Sequence, residues 1–115
     1  MLVAGLATSP VAVQLLEEDD RSVLRLQEEL TVPVAAGIRH LLGDLVRAEL
    51  LVDGPVVLDL VAVERAERGA LEVLADTSAY LRRNGRALLL RNLRRQPRHM
   101  RHLLRLESAL ALERG

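Results

Sequence analysis

Three groups of residues in this chain have types and spacings that could do chemistry. His99 and His102 stand three apart in a stretch of helical spacing, which would place both imidazoles on one face, where they could share a metal ion. The chain has no cysteine, and no second pair of carboxylates stands nearby in sequence. The pair therefore reads as two exposed histidines among arginines, and no metal site is expected. Ser9, Ser22, Ser78 and Ser108 are hydroxyl nucleophiles by type, but none has the Gly-x-Ser-x-Gly context that would expose it on a strained strand-to-helix turn. The carboxylates Asp59, Glu64 and Glu67 gather around one short stretch. Asp59 interrupts an apolar run and reads as a strand-end or edge residue bonded to backbone. Neither Gly-x-x-x-x-Gly-Lys nor Gly-x-Gly-x-x-Gly occurs, so phosphate-cradling loops of those types are excluded. These residues do not compose an active site, so the expectation is a protein that is not an enzyme and needs no cofactor.

The stretch that must position the carboxylates is Gly54–Leu71, GPVVLDLVAVERAERGAL. The turn pair Gly54-Pro55 leads into Val56–Leu60, an apolar run too short for a helix and rich in Val and Leu, which reads as a buried strand. Val61–Arg68 carries the chain off the strand end, and helical spacing begins around Glu67–Leu71. A strand that delivers a loop to a helix N-terminus is where open α/β sheets place function, because the first N–H groups of the helix lack backbone partners.

The flanking elements follow in order. Val11–Leu16 and the alternating Ser22–Leu30 read as two strands joined by an acidic turn at Glu17–Arg21. Thr31 or Val32 caps a helix whose first turn suits Pro33 and whose apolar spacing runs from Val34 to about Glu49. Leu71, Leu74 and Leu81 define the next helix, which ends at Asn84-Gly85, where glycine can take the left-handed conformation. Arg86–Asn92 is a further buried strand. Gln96-Pro97 opens a third helix carrying Met100, Leu103 and Leu104. Ser108–Leu112 fits either a final short strand or a continuation of that helix. Residues 1–10 read as an N-terminal arm, with an edge strand at Leu2–Leu6 as an option, and residues 11–115 as the domain. Strands alternating with helices imply a mixed, mainly parallel sheet.

Composition narrows the function classes. The chain has 115 residues, half of them hydrophobic, so it can bury one modest core. That core must be aliphatic, since Tyr80 is the only aromatic residue. The formal net charge is zero, which argues against general nucleic-acid affinity. Arg82–Arg105 holds nine arginines and no acid, but no aromatic side chains are interleaved for base stacking. That stretch reads as a solvated face or a partner-facing surface. No apolar run approaches the roughly 20 residues of a membrane helix, and Met1–Ala12 lacks a positive leader segment, so a cytoplasmic protein is expected.

The spacing of SVLRLQEEL, VVLDL, Leu71 with Leu74, Leu81 with Gly85, and ALLLRN together resembles the STAS domain, the fold of bacterial anti-sigma-factor antagonists and of sulfate-transporter tails. The resemblance covers about Val11 to Leu112. It implies a single α/β domain with a mixed, mainly parallel sheet of four to five strands and helices packed on it. The family's signature at the start of the second helix is Asp-Ser-Ser/Thr-Gly-Leu, whose first Ser is phosphorylated in the antagonists. Aligned without gaps from the central strand, Glu67 stands at the Asp, Arg68 at the phosphorylated Ser, Gly69 at the second hydroxyl and Ala70 at the Gly. A one-residue slip brings Gly69 onto the signature Gly, and Glu67 and Arg68 then cover the hydroxyl positions. Either register leaves no hydroxyl.

A phosphoryl group there would add about two negative charges beside a helix N-terminus, whereas Arg68 places a positive charge against the dipole, an unfavourable arrangement by about 0.3–1 kcal/mol. The resemblance implies a protein-interaction module with Glu64, Arg65, Glu67, Arg68, Gly69 and Glu72 as its partner-binding residues. The implied partner is a kinase-like anti-sigma factor; alternatively, the chain is an accessory STAS subunit of an ABC-type lipid transport system or another transporter-regulatory module, with a transporter subunit as its partner. A homodimer through an exposed sheet edge near the arm is a further expectation.

Overall fold

The computed structural model describes residues 2–3, 11–94 and 110–113. Their strands form one sheet in sequence order: β1 (Leu2–Val3), β2 (Val13–Glu18), β3 (Arg21–Leu26), β4 (Val56–Asp59), β5 (Leu88–Arg91) and β6 (Ala111–Glu113). Helix α1 (Val32–Arg47) connects β3 to β4, and α2 (Arg68–Arg83) connects β4 to β5. The first two strand pairs are antiparallel and the three from β3 to β6 are parallel. This is the mixed, mainly parallel sheet expected. The short edge strands β1 and β6 bring the strand number to six, and Ala111 and Leu112, at the end of the stretch left open between strand and helix, belong to β6. The third helix expected from Gln96, the His99/His102 pair and most of the N-terminal arm lie outside the described residues.

Local chemistry fixes the element ends. The β2–β3 hairpin turns on Asp19 and Asp20, at φ 50° and 60°. Two successive left-handed residues match the twist of the flanking strands, and Asp tolerates that conformation better than most residues. Glu17, Glu18 and Arg21, expected in the turn, belong to the strands instead. Thr31 caps α1 through its hydroxyl, which accepts the Val34 N–H at 3.3 Å, with Pro33 in the first turn. Both helices close with two backbone bonds of one pattern. In α2 the Gly85 and Arg86 N–H groups donate to Arg82 and Leu81, and in α1 the Glu49 and Leu50 N–H groups donate to Val46 and Leu45. Gly85 takes φ 75° without hindrance, whereas Glu49 adopts φ 55° against its Cβ, which is why α1 stops short of it.

The helices pack on one face of the sheet. Val13, Leu24, Leu26, Val56, Leu58, Leu88 and Leu90 meet Ile38, Leu42 and Leu45 of α1 and Leu71, Leu74 and Leu81 of α2 in one aliphatic core. Strand alternation turns Val23, Arg25, Val57, Asp59 and Arg91 to the opposite face. Val23 and Val57 are fully buried there.

Candidate functional site

The parallel register places Arg25, Asp59 and Arg91 side by side on β3, β4 and β5. Asp59 is 1% exposed, and all its acceptor capacity is directed. One carboxylate oxygen accepts from Arg25 Nε at 2.9 Å and Arg91 Nη2 at 3.1 Å. The other accepts from the Asn92 amide at 2.8 Å and the Val61 N–H at 3.1 Å. Glu18, at the hairpin end of β2, reaches both arginines at 3.3–3.5 Å, so the hairpin leans over this face. Burial alone would raise the Asp59 pKa, but the hydrogen bonds from Asn92, Arg25, Arg91 and Val61 outweigh it and hold the carboxyl below its ordinary value. Burial likewise works against the Arg91 charge, and Glu18 and Asp59 together raise its pKa. The backbone bond to Val61 was legible in the sequence, but the three side-chain donors were not.

That bond starts the loop from β4 to α2. Val63 and Ala66 are buried and anchor it, while Val61, Glu64, Arg65, Glu67 and Arg68 stay exposed. The loop is clasped to the segment before α1. Ala66 forms a parallel bridge with Leu30, with the Leu30 N–H donating to Arg65 and the Glu67 N–H to Leu30. Two glutamates complete the clasp: Glu29 accepts the Arg65 N–H and Glu67 accepts the Val32 N–H, each at 2.8 Å. Glu67 precedes α2, yet its side chain does not cap that helix. It instead supplies an anion to the first N–H of α1, where the helix dipole favours one. The Arg68 and Gly69 N–H groups find no acceptor among the described residues.

Arg65, Glu67, Arg68 and Gly69 line an open pocket of about 530 Å³ together with Glu29, Leu30, Thr31 and Val32. Four of the six residues expected to bind a partner are thus brought together. Glu64 and Glu72 are exposed but stand outside this lining. The contribution of the β3–α1 segment was missed, because nothing local in QEELTV announces that it meets a loop more than thirty residues away. Thr31 has the only hydroxyl among the lining residues, and it is occupied as the α1 cap. No group of His, Cys, Asp or Glu among the described residues could hold a metal. No described helix is long and apolar enough to cross a membrane.

Gly69 has a packing reason to be glycine. A Cβ there would lie 2.9 Å from Val32 Cγ2, inside van der Waals contact. Gly69→Ala is therefore expected to lower the melting temperature, although alanine is the better helix former by about 1 kcal/mol. In a Val32→Ala background the same change should raise it. A double-mutant cycle by denaturant unfolding reads the reversal, and equal effects in both backgrounds would show that the two helix starts are not in contact.

A family model for the STAS domain matches residues 12–113. Among solved structures, a Thermotoga maritima protein described as an anti-sigma factor antagonist superposes with a TM-score of 0.69 at 17% identity, covering 90% of this chain and 86% of that one. An anti-sigma factor antagonist from Mycobacterium paratuberculosis gives 0.68 at 21% identity, covering 98% and 92%. A variant of RsbS from Moorella thermoacetica gives 0.62 at 20%, covering 90% and 86%. No curated protein matches the chain. At these identities the structural likeness speaks for the fold, and the family match spans nearly the whole chain: it belongs to the STAS domain family.

Proposed function

We propose that this protein is a non-enzymatic interaction module of the anti-sigma-antagonist kind that docks on a kinase-like anti-sigma factor and is not switched by phosphorylation at the start of α2. The carrying observation is the clasped loop. Its backbone is fixed by the bonds to Leu30, Glu29 and Val32, so Arg65 and Arg68 project from a preorganised platform rather than a mobile one. Val32 and Val61, 42% and 48% exposed, offer apolar anchors among charges that would set orientation and partner choice. The first helical residue is Arg68, and in the gap-free alignment a guanidinium stands at the position where the resemblance implies a phosphorylatable serine. A positive charge cannot mimic phosphate, and docking would be constitutive.

Affinity capture of the tagged protein from a lysate of its own source, with mass spectrometry of partner and bait, tests this. The expected result is a kinase-like anti-sigma factor in the eluate and a bait without phosphate. Arg68→Glu should reduce recovery about tenfold, as loss of a well-placed interface arginine does. A permease or transport ATPase in the eluate would replace this reading with the transporter-subunit one.

A further inference from the structure

A second groove lies between the outer faces of α1 and α2, away from the loop clasp. Its volume is about 410 Å³, and its lining includes Arg39, His40, Gly43 and Arg47 of α1 and Val73 and Tyr80 of α2. Gly43 opens its floor. A Cβ there would stand 3.4 Å from the Arg47 guanidinium and 3.7 Å from the Tyr80 hydroxyl, so two donor groups converge over the glycine. Arg39, His40 and Arg47 are exposed, and no lining residue is a carboxylate. Arg47 is held in place by Asp44 one turn back. Arg39 and His40 have no hydrogen-bond or ion-pair partner among the described residues.

The complementary feature is in the same chain. The β2–β3 hairpin ends in Glu17, Asp19 and Asp20, all exposed and without ion pairs among the described residues. The two-residue turn makes a narrow tip, which can enter a cleft between two helices. The formal net charge is zero, with sixteen arginines balanced by sixteen acidic residues over the whole chain, so two copies meet without net repulsion and their local patches steer the encounter.

We propose that the acidic hairpin tip of one copy docks in the basic α1–α2 groove of a second copy, a head-to-tail contact that leaves the β4–α2 loop free. Such a contact is heterologous and can propagate or close into a ring. It is also salt-sensitive, since both patches are solvent-exposed.

Sedimentation velocity of the full chain over a concentration series tests the contact at about 50 mM and about 500 mM salt. The expected result is concentration-dependent association at low salt that weakens at least ~10-fold at high salt. Arg39→Glu/Arg47→Glu, and separately Asp19→Arg/Asp20→Arg, should each be monomeric at low salt with unchanged circular dichroism. An equimolar mixture of the two should associate, because each then supplies the patch the other lacks. Should Arg47→Glu disturb α1, Arg39→Glu alone gives the same comparison. A chain that stays monomeric, an association indifferent to salt and to both variants, or a mixture that fails to restore it would each overturn the pairing.

Discussion

Replacing Asp59 with alanine is expected to lower stability by about 2–3 kcal/mol and to do so in a pH-dependent way. Removing one partner of a buried ion pair typically costs about 3–5 kcal/mol, because the remaining charge is left without compensation. The loss here falls at or just below the low end of that range, since the Arg91 and Arg25 side chains are 15% and 32% exposed and retain Glu18. The sign of the pH effect follows from the direction of the Asp59 shift. Its folded pKa is lowered, so its contribution is fully present above the unfolded carboxyl value of about 3.9 and is lost as pH falls through the lower folded value. Urea unfolding of both proteins at several pH values should show a constant gap above about pH 5 that closes in the acid range. A gap that persists at the acid end would mean that packing at the site matters and its charge does not. Because Asp59 also holds the Val61 N–H, the variant should loosen the start of the loop from β4 to α2.

Leu58→Ala should be the most damaging of the single changes considered, at about 3–4 kcal/mol. Leu58 is fully buried on the central strand, facing both helices from a sheet that has no aromatic residue to fill the space it would leave. Against a typical total of about 5–15 kcal/mol, such a loss would be visible as a large fall in urea midpoint with little change in slope. Leu50→Ala is the control. Its side chain is 55% exposed, and the change should stay within about 0.5 kcal/mol. Similar costs for the two would mean that the core is not centred on β4.

The elements that do one thing were legible in the sequence. Val56–Leu60 could only be a buried strand, the Thr31-Pro33 start and Gly85 stop mark helix ends by their own chemistry, and the apolar spacing of α1 and α2 has one period. The boundaries missed were those decided by distant partners. Glu17 and Glu18 look like turn residues by composition, yet their strand pairing reaches further, and Glu18 is held by arginines on β3 and β5. Glu67 directly precedes α2, yet its carboxylate serves α1. Asp59 was recognised as the odd residue of its strand, but its arginine partners lie 34 residues before it and 32 after, a juxtaposition that only the parallel register creates. The expectation that Arg65, Glu67, Arg68 and Gly69 bind a partner rests on a family resemblance, and the fold brings these four into one lining. The opposing wall of Glu29–Val32 has no such marker.

The most direct test of the proposed switchless docking is to incubate the captured complex with ATP and magnesium and follow both phosphate transfer to this chain and survival of the complex. The expected result is no phosphate on the protein and an intact complex, while Arg68→Ser, with a hydroxyl at the first helical position, gains phosphate and dissociates. Phosphate on the unaltered chain, whether on Thr31, Ser78 or another hydroxyl, with release of the partner, would contradict it.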